Sequence, residues 1–193
     1  IFYIFMEGSC MQRNQTKKLV LAALFLALGL LLPFVTGQIA QFGSWFLPMH
    51  LPVLLCGFAC GWPYGLAVGL VTPLLRSVLF GMPPLMPTAV AMAFELAAYG
   101  ACTGLLVSRL PRRILSLYVA LVGAMLVGRA VWGIVSFALY SFLGNPFTWQ
   151  VFLAGAFVNA LPGILIQLAI VPGIAMQIAL AAGEPLVSSK KKE

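Results

Sequence analysis

The sequence predicts an all-α integral membrane protein of six transmembrane helices with both termini in the cytoplasm. Of its 193 residues, 62% are hydrophobic and 8% are charged, whereas a soluble domain carries about 25% charged residues. The apolar residues form long runs, and about 20 apolar residues are enough for a helix to cross a bilayer. Basic residues fall in groups between these runs, which is the pattern of a multi-pass topology.

Three groups of basic residues predict the orientation of the chain. They are Arg13, Lys17 and Lys18 near the start, Arg109, Arg112 and Arg113 in the middle, and Lys190, Lys191 and Lys192 at the end. Lysine and arginine accumulate on the cytoplasmic side of membrane proteins, so all three groups are expected there. The net charge of +7 does not indicate a nucleic-acid partner, because a phosphate-binding surface would spread its basic residues over one face.

The chain is expected to form one membrane domain with short cytoplasmic ends. The predicted parts are an N-terminal cytoplasmic segment over 1–18, a six-helix membrane domain over 19–182 and a basic cytoplasmic tail over 183–193. Residues 1–10 are expected to lie outside the native protein, because methionines that can start translation follow within and after them. The first apolar run is interpreted as a retained span and not as a cleaved signal, because an even number of crossings needs it.

Six apolar segments account for the spans. They cover residues 19–35, 47–60, 64–80, 88–107, 114–142 and 149–182. The second is shorter than the ~20 residues of a full crossing, so it either extends back through His50 or lies beneath an external loop. The motif GWPYG predicts a tight cytoplasmic turn, and the Gly- and Pro-containing stretches TGQIAQFGSWFLPMH and GMPPLMP predict external loops.

Three charged residues lie inside predicted spans, namely Arg76, Glu95 and Arg129. A charge at the bilayer centre costs about 2.5 to 3.5 kcal/mol, so each is expected to face protein or water. One interpretation pairs Arg76 with Glu95 as a structural salt bridge. The other uses the surplus arginine to bind an anionic ligand that enters from outside, with Arg129 as the main anion-binding residue because its planar fork suits a carboxylate or phosphate.

Other polar and aromatic residues are predicted to join this ligand site. Trp132 follows Arg129 by three residues and Tyr99 follows Glu95 by four, so each shares a helix face with its charged neighbour. His50 begins the second span at its outer end. Asn159, in the outer half of the sixth span, and Gln167 are weaker candidates, because amides in membrane helices often only bond a neighbouring helix.

Metal binding and catalysis are not predicted, and no cofactor is expected. Cys56 and Cys60 lie four residues apart, but no other soft ligand stands near them in the sequence. The chain has one histidine and no aspartate, so it has few groups for hydrolytic chemistry. It also lacks a phosphate-binding Gly-rich loop with lysine and an HExxH zinc motif.

Small residues recur at four-residue spacing in two spans. They are Ala23 and Ala27 in the first span, and Gly61, Gly65 and Gly69 at the start of the third. Helices in lipid associate where small residues let their backbones approach closely. Two interpretations remain open, packing within this chain and a docking face for another membrane subunit.

Several stretches resemble the substrate-binding S components of energy-coupling factor (ECF) vitamin transporters. They are AALFLA in the first span, LPVLLCGFACGWPYGLAVGLVTPLLRSVLFGMPP through the second and third, and FELAAYG in the fourth. The resemblance covers residues 15–182 and implies an S-component-like bundle in the bacterial cytoplasmic membrane. It further implies a binding subunit that captures a vitamin or vitamin precursor from outside and has no ATPase activity of its own.

The resemblance also implies partners and a docking surface. S components dock on a transmembrane coupling subunit that carries two ABC-type ATPases, through an AxxxA-type pattern on the first helix. Ala23 and Ala27 match that pattern, and Ala22 is expected to widen the face. The external stretches 36–50 and 81–87 correspond to loops that close over the vitamin in this family.

Two other functions remain compatible with the residues alone. A structural six-helix protein of a cell-shape or cell-wall assembly would need packing surfaces, but not buried charges that converge on an external cavity. A self-sufficient secondary transporter would need a titratable coupling residue, for which Glu95 is the clear candidate.

Overall fold

A computed structural model shows a bundle of helices. It describes residues 2–35, 47–111, 113–144 and 148–181. In chain order the helices are α1 (Phe2–Val35), α2 (His50–Cys60), α3 (Trp62–Phe80), α4 (Val90–Arg109), α5 (Ile114–Phe142), α6 (Trp149–Leu153) and α7 (Leu161–Ala181). A short kinked segment over Leu85–Ala89, with extended backbone at Met86 (φ −118°, ψ 135°), precedes α4, and a π-helical segment over Ala154–Val158 follows α6. The described residues include no strand, so the predicted all-α class is confirmed.

Within the part of the chain that the structure describes, five segments are long and apolar enough to cross a membrane. They are Gln15–Phe34, Trp62–Phe80, Leu85–Arg109, Ile114–Phe142 and Leu161–Leu180. Large apolar side chains cover their outer faces, with Leu115 73%, Ile134 70% and Leu165 65% exposed. Soluble proteins rarely expose apolar surface of this extent, so these faces are suited to contact lipid.

Helix α2 is much shorter than the other helices that line the core. Its 11 residues span about 16 Å, roughly half the thickness of the hydrocarbon layer. Eight of the eleven are buried, because α2 packs against α1, α3, α4 and α7. The predicted second span is therefore a central helix that begins at His50. Most of the preceding stretch, 36–46, lies outside the described residues.

A single residue, Gly61, connects α2 to α3. Its φ of 95° is a backbone conformation that residues with a Cβ rarely adopt. Its N–H donates to the carbonyl of Gly57, and Pro63 follows in the first turn of α3, where a missing N–H costs nothing. This is the turn predicted from GWPYG, and it sends α3 back along α2.

Glycines let α2, α3 and α4 touch through their backbones. A Cβ placed on Gly100 of α4 would lie 2.2 Å from the carbonyl oxygen of Gly65 on α3. A Cβ on Gly57 of α2 would lie 2.4 Å from the carbonyl oxygen of Gly100, and one on Gly69 would lie 2.3 Å from that of Leu96. The interpretation of the third-span glycines as packing within this chain is therefore confirmed at Gly65 and Gly69.

The predicted sixth span differs from the structure. Residues 149–182 were expected to form one helix, but α6, a π-helical segment and a turn at Asn159 and Ala160 precede α7. Pro162, the second residue of α7, has no N–H to continue a preceding helix and suits a new helix start. By contrast, the fifth span has the predicted bounds, 114–142.

Candidate functional site

Helix α4 places two polar side chains on one buried face. Glu95 and Tyr99 are one turn apart, and their exposed fractions are 1% and 0%. Small residues on the same helix, including Ala91 and Gly100, bring its backbone close to its neighbours. The carboxylate is therefore held inside the protein and not at the lipid surface, as the cost of a charge in hydrocarbon requires.

Helix α2 brings His50 to this carboxylate. The Nε2 of His50 lies 3.4 Å from Oε1 of Glu95. Its ring packs edge-on against that of Tyr99, with ring centroids 5.1 Å apart and an interplanar angle of 83°. The histidine is 1% exposed, and its backbone N–H donates to the carbonyl of Leu47, which fixes the start of α2.

Helix α5 contributes Arg129, whose Nη1 lies 2.9 Å from Oε1 of Glu95. The arginine is 5% exposed, so this is a buried ion pair. The preceding residue, Gly128, lets the ring of Tyr99 lie against α5, since a Cβ there would come within 2.7 Å of the ring. The sequence prediction did not include Gly128, although a glycine directly before a buried arginine in an apolar run was an available signal.

The four residues His50, Glu95, Tyr99 and Arg129 form what we call the Glu95 cluster. Several of its buried polar atoms have no hydrogen-bond partner among the described residues, namely Nε and Nη2 of Arg129, both ring nitrogens of His50 and Oε1 of Glu95. The Tyr99 hydroxyl lies near Arg129 but makes no hydrogen bond of ordinary geometry. A buried polar group without a partner costs about 1 to 3 kcal/mol, so the cluster carries unused capacity to bind a polar group.

The geometry of Arg129 indicates which polar group the cluster could bind. Glu95 contacts Nη1, whereas Nε and Nη2, which form the side-on edge of the guanidinium, are both unpartnered. Two parallel N–H groups on one edge match the two oxygens of a carboxylate or phosphate. The cluster can therefore keep its internal ion pair and bind a second acidic group at the same arginine.

The interpretation of Arg76 and Glu95 as a salt bridge is wrong. Arg76 is buried, but its Nη1 donates to the backbone carbonyl of Leu30 on α1. Its guanidinium lies 5.0 Å from the ring centroid of Phe34 and 5.5 Å from that of Phe80. The position of Arg76 on α3 turns it toward α1. Among the described residues Glu95 therefore faces one arginine, Arg129, and the expected surplus cation is not found there.

We expect Arg76→Met to lower stability and leave ligand binding unchanged. Methionine retains an apolar stem, but it loses a charged hydrogen bond and contacts with two aromatic rings, together worth roughly 2 kcal/mol or more. Thermal unfolding in detergent measures the first effect and ligand retention in native mass spectrometry the second. Val78→Met, at a side chain 73% exposed on the same helix, is the control. Loss of ligand from folded Arg76→Met protein would restore Arg76 to the predicted site.

The remaining predicted site residues lie in different surroundings. Trp132 stacks on Phe152, with ring centroids 6.2 Å apart, and Phe152 stacks on Trp149 at 5.1 Å. Asn159 is exposed in the turn before α7, so it is not part of the buried cluster. Gln167 is 1% exposed, and neither polar atom of its amide has a hydrogen-bond partner among the described residues.

The three predicted docking residues on α1 do not share one face of the helix. Ala23 and Ala27 are exposed, together with large apolar neighbours such as Leu24 and Leu31, which are 54% and 59% exposed. Ala22 is 5% exposed and belongs to the hydrophobic core. The expectation that Ala22 widens the exposed face is therefore wrong, because a helix turns about 100° per residue and places Ala22 on a different, buried face.

Comparison with known proteins gives a match to one protein family. The sequence model of the family described as "ECF transporter, substrate-specific component" matches residues 17–175, which include every helix of the Glu95 cluster. No curated protein and no solved structure gives a significant match. The family match covers most of the chain, and we conclude that this protein belongs to the ECF transporter substrate-specific component family.

Proposed function

We propose that this chain captures a vitamin or vitamin precursor with an acidic group from outside the cell and delivers it to an ECF-type importer. Membership of the substrate-specific component family supports the role of a transport-binding subunit without enzymatic activity of its own. The observation that carries the choice of ligand is the unpartnered side-on edge of Arg129 within a buried cluster. A carboxylate on that edge would satisfy both N–H groups.

The proposed topology has six crossings, counting α2, and both termini in the cytoplasm. Lys17, Lys18, Arg109 and Arg113 are exposed. They lie at the start of the apolar span Gln15–Phe34 within α1, at the end of α4 and just before α5. The positive-inside tendency favours the cytoplasm for these ends. Glu95, the sixth residue of α4, then lies in the outer half of the membrane, about 8 Å from the first residue of that helix.

The aromatic residues support a ligand that also contains a ring. Trp132 lies one helical turn after Arg129 and stacks with Phe152, so we propose this aromatic pair as a wall beside the acidic-group site. Nicotinate and folate combine a ring with a carboxylate, and pantothenate offers the carboxylate alone. We propose Arg129, Glu95, His50 and Tyr99 as ligand-binding residues, with Trp132 as the aromatic contact.

Native mass spectrometry of the detergent-purified protein tests this function directly. We expect one small molecule to be retained through purification and released on activation, with a mass that identifies an acidic vitamin or precursor. Empty protein that stays empty after incubation with B vitamins and their precursors would contradict the proposal and favour a structural role for the bundle.

We also propose that the exposed face of α1 around Ala23 and Ala27 docks on a transmembrane coupling subunit with two ABC-type ATPases. Replacing both alanines by leucine is expected to leave ligand binding unchanged and to abolish uptake, because the added side chains prevent close approach of two helices. Binding to purified protein and uptake into cells that express the complete importer measure the two effects.

A matched variant controls for the added bulk. Ala138 and Ala169 are exposed on α5 and α7, so Ala138→Leu with Ala169→Leu adds the same volume to another part of the lipid-facing surface. This double variant should retain uptake. Full uptake by the Ala23 and Ala27 double variant would show that α1 does not provide the docking face.

A further inference from the structure

The charge balance of the Glu95 cluster limits which ligands it can accept. Glu95 and Arg129 form a buried ion pair at 2.9 Å, so the pair has no net charge before any ligand binds. An acidic ligand on the free edge of Arg129 would place two carboxylates on one guanidinium. An uncompensated buried charge is strongly unfavourable inside a protein, especially within a membrane.

His50 is the group positioned to compensate for that charge. Its Nε2 is 3.4 Å from Oε1 of Glu95, and both of its ring nitrogens are buried without a hydrogen-bond partner among the described residues. Histidine is the side chain that most readily gains a proton near neutral pH. A second negative charge beside Glu95 and Arg129 would favour the protonated imidazolium, which can donate a hydrogen bond from each nitrogen.

The other helices packed on α2 offer few groups that could supply the compensating positive charge in place of His50. Helix α4 presents Glu95 and Tyr99 to it, and the charge of Arg129 on α5 reaches it through Glu95. The described part of α7 contains no titratable residue. The remaining charged or titratable groups on α1, α2 and α3 with described side chains are Lys17, Lys18, Cys56, Cys60, Tyr64 and Arg76.

These groups do not compensate for an added anion at the cluster. Lys17 and Lys18 are exposed near the other end of the bundle, and Arg76 is directed toward Leu30, Phe34 and Phe80. A thiol or a phenol that gained or lost a proton would not add a positive charge.

We propose that this site binds its acidic ligand together with one proton, which is held by His50. The inference rests on the proposed function, because it concerns the ligand of the same cluster. It predicts a selective difference between an acid and its neutral analogue. The imidazolium of His50 compensates the charge of an acidic ligand and so increases its affinity. A neutral amide or alcohol adds no charge to compensate and does not satisfy both N–H groups of Arg129.

Linkage gives the direction of the pH effect. If binding takes up one proton, raising the pH opposes binding, and affinity falls by up to about tenfold per pH unit on the alkaline side. Proton uptake ceases where His50 is already protonated in the free protein, so affinity then becomes independent of pH. A neutral analogue should show neither effect.

Isothermal titration calorimetry of the full chain in detergent can count the proton. The probes are nicotinate, pantothenate and folate, with nicotinamide and pantothenol as neutral analogues, and any molecule that native mass spectrometry identifies. Each titration is repeated in buffers of different ionisation enthalpy between about pH 6 and 9. We expect the acid that binds to take up close to one proton per molecule in the alkaline part of this range. This count uses the unaltered protein, so it does not depend on a variant folding.

His50→Gln identifies where the proton resides. Glutamine offers an amide N–H toward Glu95, but it cannot gain a proton, so proton uptake should vanish and acid affinity should fall at least tenfold at pH 6. Thr103→Val is the control. It removes a buried hydroxyl that bonds only its own helix, at the carbonyl of Tyr99, and should leave proton uptake unchanged.

The outcomes separate this inference from the function on which it rests. An acid that binds without proton uptake, a neutral analogue that binds as tightly, or undiminished uptake in His50→Gln overturns the inference while the binding function stands. Failure to retain or bind any small molecule overturns the proposed function and the inference with it.

Discussion

Arg129→Lys is expected to abolish ligand retention while the protein stays folded. Lysine keeps a positive charge within reach of Glu95, so the buried carboxylate is still compensated. It loses the planar guanidinium and therefore the two parallel N–H groups on the side-on edge. Charged hydrogen bonds contribute about 1.5 to 3 kcal/mol each, so the loss of two should weaken binding at least ~100-fold. Native mass spectrometry and calorimetry with the retained molecule measure the change.

Arg129→Ala should have a second effect that lysine avoids. It leaves Glu95, which is 1% exposed, without its cation, and breaking a buried pair in this way typically costs about 3 to 5 kcal/mol. Combining Arg129→Ala with Glu95→Gln removes the orphan charge, so the double variant should recover thermal stability without recovering ligand. A folded Arg129→Lys protein with wild-type affinity would show that the side-on edge is not the acid-binding group.

Gly100→Ala is expected to produce the largest loss of stability from a single added methyl group. The new Cβ would lie 2.2 Å from the carbonyl oxygen of Gly65 and 2.4 Å from its carbonyl carbon. These are backbone atoms, so α3 and α4 would have to separate. We expect a loss of more than about 3 kcal/mol, in the range reserved for severe core disruption, seen as aggregation or a much lower unfolding temperature in detergent.

Gly173→Ala is the matched control for this prediction. The substitution is chemically identical and also within a helix, but a Cβ at Gly173 of α7 would meet no atom within 4 Å. Stability should therefore change by less than about 1 kcal/mol, with helix propensity favouring alanine. If Gly100→Ala unfolds at the same temperature as Gly173→Ala, the backbones of α3 and α4 are not in contact at Gly100.

The Gly100 contact also matters for the candidate site. Gly100 is the residue after Tyr99 and lies five residues after Glu95, so a displacement of α4 at this point would move the two cluster residues that α4 carries. A milder substitution that folds should therefore weaken ligand binding although it touches no ligand. The geometry of the Glu95 cluster therefore depends on the close packing of α2, α3 and α4.

The sequence alone determined the fold class, the course of most helices and the family. The bilayer core contains no water, so the backbone N–H and C=O groups of each apolar run must bond to one another. A helix makes all of these hydrogen bonds within one segment of the chain. Hydropathy therefore predicted α5 at 114–142 and the main part of α3. The same local reasoning identified His50, Glu95, Tyr99 and Arg129 as unusual, because a polar group in an apolar run is visible without knowing its neighbours.

Only the tertiary structure decided which of these groups meet. Whether Glu95 faces Arg76 or Arg129 depends on how α4 is rotated about its axis and on how far α4 lies from α3 and α5. The backbone contacts between α2, α3 and α4 constrain this rotation and position. In the same way, the rotation of α1 about its own axis places Ala22 in the core while Ala23 is exposed. These relations join residues far apart in the chain, and hydropathy, which is a property of each segment, contains no information about them.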